Sequence, residues 1–206
     1  MFLVSLLRFR TLAVLLLFLS FAVRSETAQL LVPPDVLIKT ITEEVIVLMR
    51  QESHAREGNS GRAAVLVEEK VAPHLDFEQM TMLAMGPNWR VATSQERSRL
   101  VREFHMLLVR TYGALLDGYR DQAIVFLPLR AAPTDTDVTV RAQIRQSSGD
   151  AIVIAIRMKK LPEGWKAYDI VVDGVSLVLT YRGTFREEIA RTGVSGLIKV
   201  LAEKNK

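Results

Sequence analysis

The sequence predicts an α+β fold in which helices cover one face of an antiparallel meander, and three observations carry that prediction. Apolar residues recur every three or four positions from Ile38 to Leu115 and again from Leu177 to Ile189. Between Val138 and Val172 the period drops to two, the spacing of a strand with one apolar and one polar face. Pro, Gly and Asp residues separate those alternating runs at hairpin spacing. Roughly 180 residues share this pattern, enough for a single domain held by its own core.

The N-terminus reads differently. Arg8 and Arg10 precede an uncharged run, TLAVLLLFLSFAV at 11–23. That run is about 13 residues long, short of the roughly 20 that cross a bilayer, and has the layout of a secretory signal. Ser20-Phe21-Ala22 or Val23-Arg24-Ser25 supplies the small residues at which a peptidase cuts; the alternative is an uncleaved anchor. The expected organisation is a signal peptide at 1–25 and one domain at 26–206.

The elements follow in order. Pro33-Pro34-Asp35 opens a first helix with Asp35 as the expected N-cap, and Ile38, Ile41, Val45, Leu48 and Met49 form its stripe. Gly58-Asn59-Ser60-Gly61 breaks the chain; a second helix is expected from Arg62 to Val71, stopping before Pro73. A short third follows Asp76 and ends at Gly86-Pro87. Thr93-Ser94-Gln95-Glu96 is a capping box, a hydroxyl three residues ahead of a glutamate, and it starts the longest helix. That helix is expected to reach Tyr119, with Leu100, Phe104, Leu108, Tyr112, Leu115 and Tyr119 on one side. Four strands are expected, at about 123–129, 137–145, 151–160 and 165–172. Asp173-Gly174 ends the last, and a final helix is expected from Val175 with Leu177, Val178, Tyr181, Phe185 and Ile189 inward.

Composition excludes several function classes. The formal net charge is +4, but Arg8, Arg10 and Arg24 all precede Glu26 and no acidic residue does. Removing those three from the 27 Lys and Arg residues leaves 24 against 23 acidic residues, a net charge of +1. A polyanion binder concentrates positive charge, so nucleic acid is not an expected partner. With no cysteine there is no disulfide, thiol catalysis or thiolate metal site. His54, His74 and His105 lie far apart, without H-E-x-x-H spacing, and read as surface or boundary histidines. No metal site and no cofactor is expected.

The stretch WKAYDIVVDGVSLVLTYRGTF at 165–185 brings together Tyr168, Asp169 and Ser176, three residue types that can do chemistry. In a regular strand Tyr168, Ile170 and Val172 share the apolar face, while Asp169 lies opposite with Trp165 and Ala167. Tyr168 and Asp169 then cannot meet in one pocket without a bulge. The tyrosine is expected in the apolar wall and the aspartate at a loop or helix end. Ser176 lacks the G-x-S-x-G elbow of a nucleophile.

These residues also carry a family likeness. LAMGPNWRVATSQERSRLVREFHMLLVRTYGALL at 83–116 and GWKAYDIVVDGVSLVLTYRGTFREEIARTGVSGLIKVLAEKN at 164–205 resemble the periplasmic phospholipid-carrier family, the MlaC or toluene-tolerance family of Gram-negative bacteria. Gly-x-x-Trp-Arg-x-Ala-Thr, Leu-Leu-Val-Arg-Thr-Tyr and Tyr-Asp-x-x-x-x-Gly-Val-Ser-Leu occur in the family's order, and the likeness runs from about Val71 to Asn205. The resemblance implies a curved antiparallel sheet of about four strands wrapped by helices around an apolar lipid cavity. It implies a periplasmic carrier of phospholipid without catalytic residues, metal or cofactor. The implied partners are an outer-membrane lipoprotein complex and an inner-membrane ABC-transporter complex of the Mla type. Laid over the apolar faces, it places lipid against Phe77, Met80, Phe104, Leu108, Tyr112, Val140, Ile144, Ile152, Ile154, Ile156, Tyr168, Ile170, Val172, Val178 and Tyr181. Ile154-Ala155-Ile156 stands where the family pattern is polar or carries tyrosine, and Asp173 replaces the usual glutamate. That apolarity keeps a hopanoid-type ligand open beside a phospholipid.

Two other classes fit the same periodicity. A closed-core adaptor needs only apolar faces that meet. An enzyme on a sheet-and-helix scaffold would use Tyr168 or Tyr112 as proton donor and Asp169 as base. A bound apolar molecule separates the carrier from both.

Overall fold

A computed structural model describes residues 32–53, 62–116, 122–145 and 149–206. The signal segment, His54, the 58–61 break and Tyr119 lie outside the described residues. Helix α1 (Pro34–Ser53) begins with proline at its first position, where the missing N–H costs nothing. Asp35 therefore sits in the first turn, against the helix dipole, and is not the expected N-cap. α2 (Arg62–Leu66) does not stay an α-helix over its expected length: Val67–Val71 widens to π-helical turns, and Ala72–His74 tightens to a 3₁₀ turn around Pro73. α3 (Phe77–Met85) is capped by Asp76, whose Oδ1 accepts from Gln79 N at 2.9 Å.

α4 (Ser94–Leu116) starts at the expected capping box. Thr93 N donates to Glu96 Oε2 at 3.0 Å, and Glu96 N donates to Thr93 Oγ1 at 3.2 Å. Gly113 lets α2 pack directly on this helix, because a Cβ there would stand 2.8 Å from Ala64 Cα. α5 (Thr180–Lys204) crosses α4 and is broken at Gly193, where φ is 74°. Its Phe185 and Tyr181 rings meet Phe104 edge-on, with centroids 5.2 and 5.0 Å away. Around that contact Leu100, Met85, Val178, Leu197 and Leu201 are fully or almost fully buried, and together they form the closed core of the unit Leu31–Lys206.

The sheet is antiparallel, in the order β1 (Ile124–Phe126), β2 (Asp137–Ile144), β3 (Ile152–Leu161), β4 (Gly164–Val172), β5 (Val175–Ser176). Among the described residues it has five strands where about four were expected. The fifth arises because Asp173 and Gly174 both adopt positive φ, 47° and 83°, the geometry of a two-residue hairpin turn. Asp173 then accepts from Val153 N at 2.7 Å, Val175 pairs with Val172, and the final helix begins at Thr180 instead of Val175.

One irregularity reorders β4. Met158 pairs with Ala167 and Arg157 with Asp169, so Tyr168 is an extra residue, a β-bulge. Cross-strand partners share a face, which puts Ala167, Ile170 and Val172 with Val138, Val140, Ile154 and Ile156 on the helix side. Trp165 packs there too, beside Met158 and Ala167. The expectation that Tyr168 joins the apolar wall, with Trp165 and Ala167 opposite, is thus corrected. Tyr168 is on the other face, where its hydroxyl donates to Asp137, 3.0 Å from each carboxylate oxygen.

Candidate functional site

The helix side of the sheet divides in two. Val138, Val140, Met158 and Ala167 are buried, packed with Ile38 and Phe126. Ile144, Ile156 and Ile170, on the same side, are only half-buried, and so is Tyr112 opposite. They line a cavity of about 320 Å³, at the lower end of the range for ligand pockets. α1 forms its far wall with Ile38, Ile41, Val45 and Ile46; Val67 and Val71 of the π-helical segment, Leu108 and Val109 of α4, and Leu75 and Phe77 complete it.

The interior carries no formal charge. Thr42, His74 and Tyr112 bring polar atoms to the lining, and each is accounted for. Thr42 Oγ1 donates to Ile38 O at 2.8 Å within its own helix, turning its polar atom back on the backbone. Burial, then the positive charge of Lys166, holds the His74 imidazole below its usual value, with Glu44 opposing; the ring is favoured neutral. Burial and the neighbouring Tyr181 push the Tyr112 phenol up to about 12. What remains is uncovered apolar surface. At about 25 cal/mol per Å², its removal from water favours an apolar occupant.

Of the residues expected to meet lipid, Phe77, Met80, Leu108, Tyr112, Ile144, Ile156 and Ile170 come together at this cavity. Ile152, Ile154 and Val172 share its side of the sheet and are part-exposed, but do not line it. Phe104, Val140 and Val178 are in packed core, and Tyr181 lies against that core. Periodicity does not assign the walls formed by α1, the π-helical turns and the 74–75 segment, nor the lining residues Val109, Ile124, Ala167 and Leu177. The α1 stripe was visible as a helical face, but nothing in its spacing says whether a face meets protein or empty space.

The residues with catalytic potential assemble elsewhere. Asp169 is fully buried, its Oδ2 3.5 Å from Arg157 Nη1. Ser176 Oγ donates to Asp169 Oδ1 at 2.8 Å and accepts from Leu179 N at 3.0 Å. The aspartate thus anchors the turn leading into α5, the role expected from its position. The bulge does bring Tyr168 to the face of Asp169, yet the phenol donates to Asp137. Burial and then Asp137 raise its pKa, away from the near-neutral value that general acid catalysis favours. Among the described residues no cluster of His, Asp and Glu could hold a metal ion, and no helix is long and apolar enough to cross a membrane.

Residues 39–203 match the family described as MlaC protein. The chain is 22% identical over 191 residues to the toluene tolerance protein Ttg2D of Pseudomonas putida, covering 92% of this chain and 86% of that protein. It also resembles the structure of a phospholipid-binding protein from Ralstonia solanacearum in complex with a phospholipid. There the identity is 35% and the TM-score 0.76, over 84% of this chain and 97% of that one.

Proposed function

The chain belongs to the MlaC protein family, and from that premise we propose that it is a phospholipid carrier that holds acyl chains in the apolar cavity between α1 and the sheet. The observation that carries the reading is the uncharged cavity itself, whose sheet wall of Ile144, Ile156 and Ile170 is left half-buried by the protein's own packing. The likeness to a phospholipid complex at 35% identity supports the same occupant. In this reading Phe77, Met80, Leu108, Tyr112, Ile144, Ile156 and Ile170 touch acyl chain. Ile152, Ile154 and Val172 extend the contact when a lipid longer than the cavity is bound.

The energetics suit a shuttle without an energy source. Two chains of about 16 carbons gain roughly 25 kcal/mol on leaving water, at about 0.8 kcal/mol per CH₂. A bilayer offers nearly the same gain, so exchange between membrane and cavity is close to neutral, and shielding in transit is all the protein must supply. No Walker-type G-x-x-x-x-G-K-[ST] occurs, so direction comes from partners. We place the carrier in the periplasm after removal of residues 1–25, with 26–206 as the lipid-binding domain. It exchanges lipid there with an outer-membrane lipoprotein complex and an inner-membrane ABC-transporter complex, and it has no catalytic step.

Detergent-free purification followed by native mass spectrometry and lipid extraction tests this directly. The expected result is one phospholipid per chain. A hopanoid in its place changes the cargo and keeps the carrier. Protein that stays empty when offered phospholipid vesicles overturns the reading in favour of an adaptor.

A further inference from the structure

The apolar cavity has a polar neighbour. A second cavity of about 470 Å³ lies between the start of α3 and the β3–β4 turn, and Leu75 and Phe77 line both. The two cavities thus adjoin at these side chains, and the backbone between them is tied to the sheet, since Leu75 bridges Ala167 and Asp76 N donates to Ala167 O at 2.8 Å. Phe77 is held by stacking on His105, with ring centroids 3.9 Å apart.

In the second cavity the chemistry changes. Asp76, Glu78 and Glu163 bring three carboxylates to the second cavity, Lys166 brings one ammonium and Gln79 an amide. Lys166 Nζ lies 3.4 Å from Glu163 Oε1, and Asp76 gives only one oxygen to its helix cap. An apolar space and a charged one that share a wall match the two ends of an amphiphile. We infer that the second cavity takes the head group of the lipid whose chains fill the first, and that it selects a zwitterionic head group bearing an ammonium over an anionic one.

This deepens the carrier reading and rests on it. Among the described residues lining this cavity Lys166 is the one that offers a phosphate a positive charge, and it is near enough to influence His74 in the apolar lining. The three carboxylates then face whatever lies beyond the phosphate. An ammonium there is attracted, an anionic extension is repelled, and an uncharged one gains no such attraction.

The test offers lipid-free protein vesicles of equal parts phosphatidylethanolamine and phosphatidylglycerol with identical acyl chains, then quantifies what the re-isolated protein holds. We expect enrichment of the ethanolamine lipid by roughly threefold, the size of one partly exposed ion pair. The enrichment should vanish or reverse in the double variant Glu78→Lys, Glu163→Lys. Bound lipid at the vesicle ratio in the wild-type protein, or enrichment that the double variant leaves unchanged, overturns the head-group assignment while the carrier reading stands. Absence of bound lipid from the wild-type protein overturns both.

Discussion

The packed core around Phe104 and the cavity wall around Ile156 are made of the same residue types, yet they end in opposite states. On the α4–α5 side, rings and aliphatic chains interlock until Leu100 and Phe104 are 0% exposed. On the sheet side, residues equally apolar stay half-buried because α1 stands across from them without filling the space. Apolar composition alone therefore does not decide whether a face becomes core or container. The deciding factor is whether the opposing element brings enough volume, and that depends on how the chain is routed, here through π-helical turns and a bulge.

Mutation can break that contrast. The largest effect is expected from Phe104→Ala, which removes a ring packed on all sides and should cost about 3–5 kcal/mol in urea unfolding of lipid-free protein. Ile156→Ala, whose side chain packs on the Val140–Met158 cluster on one side and meets the cavity on the other, should cost less than about 2 kcal/mol, at or below the low end of the range for an isoleucine in a packed core. Equal costs at the two positions would erase the distinction. Next comes Asp169→Ala, expected to lose about 1–3 kcal/mol by stranding Ser176 and Arg157, with lipid occupancy preserved. If transfer fails in that variant while its melting curve and occupancy are normal, the outer-face cluster has a docking or catalytic role.

A smaller stability change with a large functional one is expected from Ile156→Trp. In a closed core the added volume costs about 1–3 kcal/mol. In the cavity it should displace lipid and change lipid-free stability by less than about 1 kcal/mol. The comparison has to use lipid-free samples, because a bound lipid itself stabilises the native state. Full occupancy in the variant would move the acyl chains elsewhere. The smallest effect concerns pH. His74 resists protonation when folded, so below its ordinary 6.5 the unfolded chain binds more protons and stability falls as pH falls. Above that value the residue contributes no slope. His74→Gln should flatten the melting temperature between pH 6.5 and 5 and leave it unchanged at pH 8; an unaltered acid slope would show that His74 is not its source.

Much of the fold was legible. The Thr93–Glu96 capping box, the start of a helix after Asp76 and the alternation in β2 and β3 are local signals, and each appears where the residues put it. Asp169 was also readable as an anchor. Two kinds of feature were not. A bulge inserts a residue without changing its type, and nothing about Tyr168 distinguishes an extra residue from a paired one; regular alternation therefore puts the tyrosine, Ala167 and Trp165 on the wrong faces. A cavity is an absence of packing, and periodicity records only which way side chains point. The stripe Phe104, Leu108, Tyr112 thus looked uniform although Phe104 is core and the other two reach the cavity.

The bulge also makes one place in β4 tolerant of a change that is ruinous elsewhere in the strand. Losing a residue from a strand ordinarily turns everything on one side of the gap to the opposite face. Loss of Tyr168 alone would instead leave Met158 against Ala167 and Arg157 against Asp169, as they already are. β4 thus holds a spare position in its count. A single-codon deletion of Tyr168 should give a folded protein with a straighter ladder, whereas deletion of Val171, three residues on, should turn Val172 and the turn to β5 the wrong way. Comparing the soluble yield of the two deletions checks this; equal yields would mean that the ladder, and not the bulge, absorbs the loss.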